Sequence, residues 1–182
     1  MVLGLFLITS SQADDIRDFQ IEGMSLGDSL LDYFSEEEIL AYKPNWFKNN
    51  EYSIANNLRS KSFEIYTSTQ VAYKTKDKKY IIEGIEGYKF YEKIEVCLKE
   101  QDVIIDSISD IYPNLKKGEK ETYKHNDPNT DATITSINFH LKSGEKIGIG
   151  CTDTKGLVPP IDLRVILRTE EYDYFINNEA YK

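Results

Sequence analysis

The side chains of this chain best suited to chemistry are two histidines, His125 and His140, and two cysteines, Cys97 and Cys151. None of them falls at the C-x-x-C or H-x-x-x-H spacing that zinc sites commonly use. The chain also lacks the glycine-rich P-loop that cradles phosphates. We therefore expect no catalytic residue, no metal site and no cofactor.

Three residues are weak candidates for contact with a ligand. Asn138 and His140 fall on the polar side of a predicted strand. Trp46 lies in an irregular segment, where an aromatic side chain without polar neighbours more often packs on the core than binds a ligand. The segment 126–131 is rich in oxygen donors but lacks the glycine and the final glutamate of a calcium loop, so it predicts a turn.

Length and charge exclude some classes of protein. The chain has 182 residues, with 22 Lys and Arg against 31 Asp and Glu, and a net charge of −9. A chain of this length predicts one domain. Binding to nucleic acid is not expected, because neutralising phosphates requires an excess of basic side chains.

The first thirteen residues predict a leader for export. Residues 2–8 are apolar, and small residues at Ser11 and Ala13 suit a cleavage site after Ala13. Residues 1–13 are then a signal peptide and 14–182 a single periplasmic or secreted domain. The usual basic residues at the start are missing, so either the leader is truncated or the start codon lies further upstream. The alternative is a buried N-terminal strand.

No segment is apolar for long enough to span a membrane.

Two short helices are predicted near the N-terminus. Ser25 and Asp28 favour a first helix that continues to Phe34. Ser35 and Glu38 form a capping-box pattern for a second helix, which Pro44 ends after about Tyr42. The acidic residues 36–38 are interpreted as the solvated first turn of that helix. Residues 43–62 predict an irregular connection.

Period-two patterns predict strands from Phe63 onward, at 63–67 and in a hairpin of 71–75 with 80–85. Gly84 and Gly87 are expected to lead the chain out of the sheet. Apolar residues at spacings of three and four then predict a long amphipathic helix from Tyr91 to Tyr112, which Pro113 ends.

The C-terminal half predicts a second set of strands. An apolar face runs through 132–141 and continues after the turn 142–145 to Cys151. A final strand follows at 161–167, and Thr169 caps a last helix, 170–178. Gly148 and Gly150 lie inside a strand, where they allow close backbone approach. The fold class is therefore α+β, an antiparallel sheet on which the long helix and the C-terminal helix pack, with an element order like that of profilin and roadblock domains.

The two cysteines predict one disulfide. Cys97 lies on the apolar stripe of the long helix, and Cys151 lies on the apolar face of its strand. Both side chains therefore point into the same interface, and an even number of cysteines in an exported chain favours pairing. The alternative is a pair of buried reduced thiols.

Two end motifs carry a resemblance to known sequences. The segments 23–39 (GMSLGDSLLDYFSEEEI) and 175–182 (FINNEAYK) resemble those of a family of small uncharacterised exported proteins of marine alphaproteobacteria. The resemblance implies a single periplasmic domain behind a leader, and it supplies no catalytic residue.

These observations favour a non-enzymatic periplasmic module that binds a protein or small-molecule ligand. Two alternatives stay open. One is a small hydrolase-like enzyme built around His140 and nearby carboxylates. The other is an envelope-assembly or inhibitor protein, which would form a stable complex with its partner.

Overall fold

The computed structural model describes residues 16–125 and 130–182. The predicted leader and most of the predicted turn at 126–131 lie outside the described residues. The fold is α+β, as predicted, with one antiparallel sheet of eight strands and three α-helices.

From Glu36 onward the described elements follow one another in the order αβββαβββββα. Helix α1 (Glu36–Ala41) precedes strands β1, β2 and β3 (Tyr52–Leu58, Ser68–Lys74 and Gly84–Tyr91). Helix α2 (Ile94–Ile111) follows, and then β4 to β8 (Lys116–Lys117, Glu121–Lys124, Ala132–His140, Lys146–Thr154 and Ile161–Arg168). Helix α3 (Glu170–Asn178) ends the described fold.

The sheet is built from two antiparallel groups of strands that meet at β3 and β8. The strand order is β1-β2-β3-β8-β7-β6-β4, and β5 pairs with β6 beside β4. Helix α2 carries the chain from β3 in the middle of the sheet to the far edge, and the hairpins β6-β7 and β7-β8 bring it back. Residues that pair across β6, β7 and β8 therefore share a face even though they lie far apart in sequence.

One face of the sheet is covered by α2. Its buried residues pack on the apolar residues of β6, β7 and β8. The predicted disulfide between Cys97 of α2 and Cys151 of β7 is confirmed, with Cα atoms 6.0 Å apart. Gln101 adds a polar link, because its Nε2 donates to the backbone carbonyls of Thr135 and Ile149 at 2.8 and 3.0 Å.

The opposite face is covered by α3 only over β1, β2 and the start of β3. Tyr172 and Phe175 pack there against Tyr52 of β1. Thr169 caps the helix by accepting from Tyr172 N, as the sequence predicted. A Cβ at Gly84 would lie 2.5 Å from the Tyr172 ring, so only glycine lets α3 approach β3 this closely.

Four predictions about the N-terminal half are wrong. Residues 43–62 are not irregular throughout, because they contain β1. That strand is buried on both faces, so it shows no alternation of apolar and polar residues. Gly84 and Gly87 do not lead the chain out of the sheet but lie within β3.

The third error concerns residues 63–67, which form no strand. The carboxylate of Glu22 accepts from the backbone N–H groups of residues 64, 65 and 66 at 2.6 to 2.9 Å. These N–H groups bind a side chain instead of a neighbouring strand.

The region predicted as a first helix is not α-helical either and consists mostly of turns. It contains only a short 3-10 turn, Leu30–Asp32, because Gly27 and Leu30 donate to the backbone carbonyls of Ile82 and Tyr80. Gly27 has a φ of +88°, which is outside the helical region. The second segment is helix α1, with Ser35 and Glu38 in a reciprocal capping box.

Candidate functional site

The part of the sheet that α3 leaves uncovered forms a cleft of about 260 Å³. Its walls and floor come from alternate residues of β6, β7 and β8, with Glu86 of β3, Tyr123 of β5 and Asn177 of α3 at the borders. We call this the open-face cleft. The side chains that alternate with the lining residues point to the disulfide and to α2, since successive residues of a strand face opposite sides.

The floor of the open-face cleft is made by glycine. Gly148 and Gly150 of β7 present no side chain, and they pair with Asn138 and Ser136 of β6 on one side. A Cβ at Gly148 would lie 3.2 Å from Asn138 Oδ1, whereas a Cβ at Gly150 would lie 3.7 Å from its nearest neighbour. Gly148 is therefore tightly placed, whereas a Cβ at Gly150 would meet only ordinary van der Waals contacts. The atoms that approach Gly148 closely belong to the side chains of Asn138 and Ile166 and not to another backbone.

Charged side chains form one wall. Arg168 Nη2 donates to Glu86 Oε1 at 2.8 Å, and its Nη1 donates to Asp173 Oδ1 at 3.4 Å. Lys146 Nζ also donates to Asp173 Oδ1, at 3.2 Å. The side chains of Arg168 and Glu86 are only 17% and 10% exposed, so this pair is largely shielded from water.

Burial and charge act in opposite directions on Glu86. Burial raises the pKa of its carboxyl, but the charges of Arg168 and Arg164 and hydrogen bonds from Arg168 and Tyr88 outweigh burial and lower it overall. Burial and the charge of Glu86 raise the pKa of the Tyr88 hydroxyl. Tyr88 therefore stays protonated and donates to Glu86 Oε2 at 2.9 Å.

Arg164 is held on two sides. Its Nε and Nη2 donate to the carboxylate of Asp162, and its guanidinium lies 5.1 Å from the centre of the Tyr88 ring. The side chain of Arg164 is 34% exposed, against 11% for Asp162. Asp162 therefore orients the guanidinium of a partly exposed side chain that lines the cleft.

The structure separates the three predicted ligand candidates. Asn138 lines the open-face cleft. His140 is exposed at its end, in a register row with Lys116 of β4 and Lys146 of β7. Trp46 is 49% exposed and is not part of the lining, whereas its neighbour Phe47 packs edge-on against Phe175.

One serine has the sequence context of a nucleophile. Residues 23–27 spell G-x-S-x-G, a pattern that places a serine on a sharp turn in some hydrolases. Here Ser25 is buried, and its hydroxyl lies within hydrogen-bonding distance of the backbone carbonyls of Arg17 and Phe19. Among the described residues, no side-chain base contacts this hydroxyl, so the match gives no support for a nucleophile.

Most of the cleft was missed because its residues meet only through strand pairing. One signal was available: two of the four arginines of the chain are four positions apart, Arg164 within the predicted strand 161–167 and Arg168 directly after it, so alternation places both on the side opposite the apolar residues. Arginine in place of the commoner lysine is typical of planar recognition of carboxylates. Ser136, Gly150 and Glu86 gave no such signal.

Other features that would identify a function are not found. Among the described residues, no group of His, Cys, Asp and Glu is arranged to hold a metal ion. No helix in residues 16–125 or 130–182 is both long and apolar enough to cross a membrane. Comparisons with protein-family models, curated proteins and solved structures find no match for this chain.

Proposed function

We propose that this protein is a non-enzymatic periplasmic or secreted module that binds a small polar ligand in the open-face cleft. The observation that carries the proposal is a polar cleft over a glycine floor on an otherwise well-packed sheet. Binding sites are usually concave and have a few well-oriented polar groups. Asp162 and Tyr88 orient Arg164 in this way.

Several polar groups of the cleft have no hydrogen bond within the described part of the chain. The side-chain amide of Asn138 and Nη1 of Arg164 both belong to this set. Because polar groups in a concave site gain most from a partner that replaces water, these groups favour a polar ligand over an apolar one.

A screen of small polar compounds by thermal shift tests the proposal, with Gly150→Val as the comparison. A Cβ at this position meets only ordinary van der Waals contacts, and valine suits a strand and adds volume to the floor of the cleft. We expect compounds that raise the Tm of the native protein to lose that effect in Gly150→Val, and Gly150→Ala to lie between the two. Equal effects on all three proteins would contradict the proposal.

The hydrolase alternative is less well supported. The cross-strand neighbours of His140 are Lys116 and Lys146, whereas a catalytic histidine is usually oriented by a carboxylate. We expect no turnover of generic ester, phosphate or peptide substrates. Turnover that His140→Ala abolishes would favour the enzyme instead.

The proposed compartment has its own test. A disulfide between Cys97 and Cys151 suits an oxidising compartment. We expect the protein recovered from a periplasmic fraction to begin at Asp14 by mass spectrometry. A soluble product that retains residues 1–13 would contradict export.

A further inference from the structure

The guanidinium of Arg164 has a free edge. An arginine side chain carries five N–H donors, and Asp162 uses Nε and one N–H of Nη2. Within the described residues, Nη1 of Arg164 and the second N–H of Nη2 have no hydrogen-bond acceptor. These donors form the end-on fork of the guanidinium, which matches the two oxygens of a carboxylate.

This fork is already oriented. Asp162 holds one edge of the guanidinium, and the Tyr88 ring lies against its face. Tyr88 is itself fixed by its hydrogen bond to Glu86. A ligand that binds the free edge therefore loses little side-chain entropy, which is the usual advantage of a preorganised arginine.

The strand opposite Arg164 lies at a distance that a small molecule can span. Arg164, Gly150 and Ser136 form one register row across β8, β7 and β6. Neighbouring strands lie about 4.8 Å apart, so roughly 9.6 Å separates the two outer strands. Because Gly150 has no side chain, the backbone of β7 forms the floor of the cleft between them. Asn138 lies one step further along the same wall.

The charged side chains of the wall balance one another, which limits the negative charge that a ligand can carry. Arg164, Arg168 and Lys146 are paired with Asp162, Glu86 and Asp173, so the three cations are matched by three carboxylates. A ligand with one carboxylate needs a pair of N–H donors that no carboxylate of the described residues uses, and the free edge of the Arg164 guanidinium supplies this pair. A phosphate with two charges would need additional cations close by.

We propose that the open-face cleft binds a small hydroxylated carboxylic acid, with its carboxylate on the free edge of Arg164 and a hydroxyl on the Asn138 amide. This assignment rests on the proposed function, since it names the ligand class of the same cleft.

The test uses NMR spectra of the ¹⁵N-labelled native protein. The probes are sodium glucuronate, sodium quinate and sodium shikimate, each compared with its primary amide. We expect at least one carboxylate to shift the amide signals of Gly148 and Gly150, while its amide does not. Lysine keeps the charge but loses the fork, so Arg164→Lys should raise the Kd about tenfold or more. Arg59→Lys, at an exposed arginine outside the cleft, is the matched control and should leave the Kd unchanged.

Three outcomes would overturn the assignment. Equal binding of carboxylates and amides would contradict the ligand class but leave a ligand-binding cleft. Tighter binding of glucose 6-phosphate than of glucuronate would indicate a phosphate site. Absence of any shift at either glycine would reject the carboxylic acid, while the thermal-shift screen decides separately whether the cleft binds other compounds. If Arg164→Lys does not fold, the comparison of acid with amide in the native protein still decides.

Discussion

The two faces of the sheet differ sharply although the same strands form both. On β8, Leu163 and Leu167 are buried against the helix-covered core, whereas Arg164 and Arg168 on the other face carry charge into the cleft. On β7, Cys151 forms the disulfide, while its neighbour Gly150 leaves the cleft floor open. Successive residues therefore belong to two different environments.

This difference separates stability from binding. The covered face holds the disulfide and a continuous apolar core, which supply most of the stabilisation. The open face contains partly shielded charges, which contribute less to stability because their desolvation offsets their attraction. A rigid sheet fixed from behind can therefore hold polar groups at set positions in front.

The largest expected effect comes from removing the disulfide. Cys97→Ala with Cys151→Ala should lower the free energy of unfolding by about 4 kcal/mol, because the bond closes a loop with a sequence separation of 54. Urea denaturation of the native and double-variant proteins measures this change. A loss below about 1 kcal/mol would show that the covered face does not depend on this bond.

Two isoleucines allow a matched comparison of the faces. Ile147→Ala on the covered face should cost about 3 kcal/mol, because it leaves a cavity in the packed core. Ile166 lines the open-face cleft, so Ile166→Ala should cost about 1 kcal/mol or less. Equal losses in urea denaturation would remove the distinction between the faces.

The charged wall should show an intermediate effect that depends on pH. Glu86→Gln should cost about 2 kcal/mol at pH 7, because it leaves Arg168 with one carboxylate fewer in a shielded position. The pKa of Glu86 is lowered in the folded protein, so its contribution is present above the unfolded pKa of about 4.3. The difference between native and variant should therefore shrink as the pH falls through the folded pKa. A difference that grows on acidification would contradict the assigned direction.

The smallest effect is expected at an exposed ion pair. Lys74 Nζ and Glu171 Oε1 are 2.8 Å apart, and their side chains are 42% and 59% exposed. Glu171→Gln should change stability by less than about 0.5 kcal/mol, because water screens the pair. It is also the matched control for Glu86→Gln, and a comparable loss at both sites would show that shielding does not matter.

Parts of the fold were predictable because their signals are local. The cap at Thr169, the β6-β7 hairpin and the long helix each follow from neighbouring residues. The disulfide was predictable because two local patterns placed both cysteines on apolar faces. Strand β1 was not predictable in this way, because burial on both faces removes the alternation that marks a strand.

The cleft was less predictable for a related reason. Asn138 was identified from the polar side of its own strand, which is local information. The row of Arg164, Gly150 and Ser136 depends on how three strands pair, and strand periodicity does not specify that register. The hydrogen bonds from the backbone N–H groups of residues 64–66 to the Glu22 carboxylate are likewise long-range contacts, which local patterns do not predict.

The most direct test of the open-face cleft as a binding site is a methyl spectrum of the protein with ¹³C-labelled isoleucine, recorded with the compounds that raise the Tm. Ile134 and Ile166 line the cleft, whereas Ile137 and Ile147 pack in the covered core. We expect these compounds to shift the signals of Ile134 and Ile166 and to leave those of Ile137 and Ile147 in place. Shifts confined to Ile137 and Ile147, or to isoleucines elsewhere in the chain, would contradict a binding site on the open face.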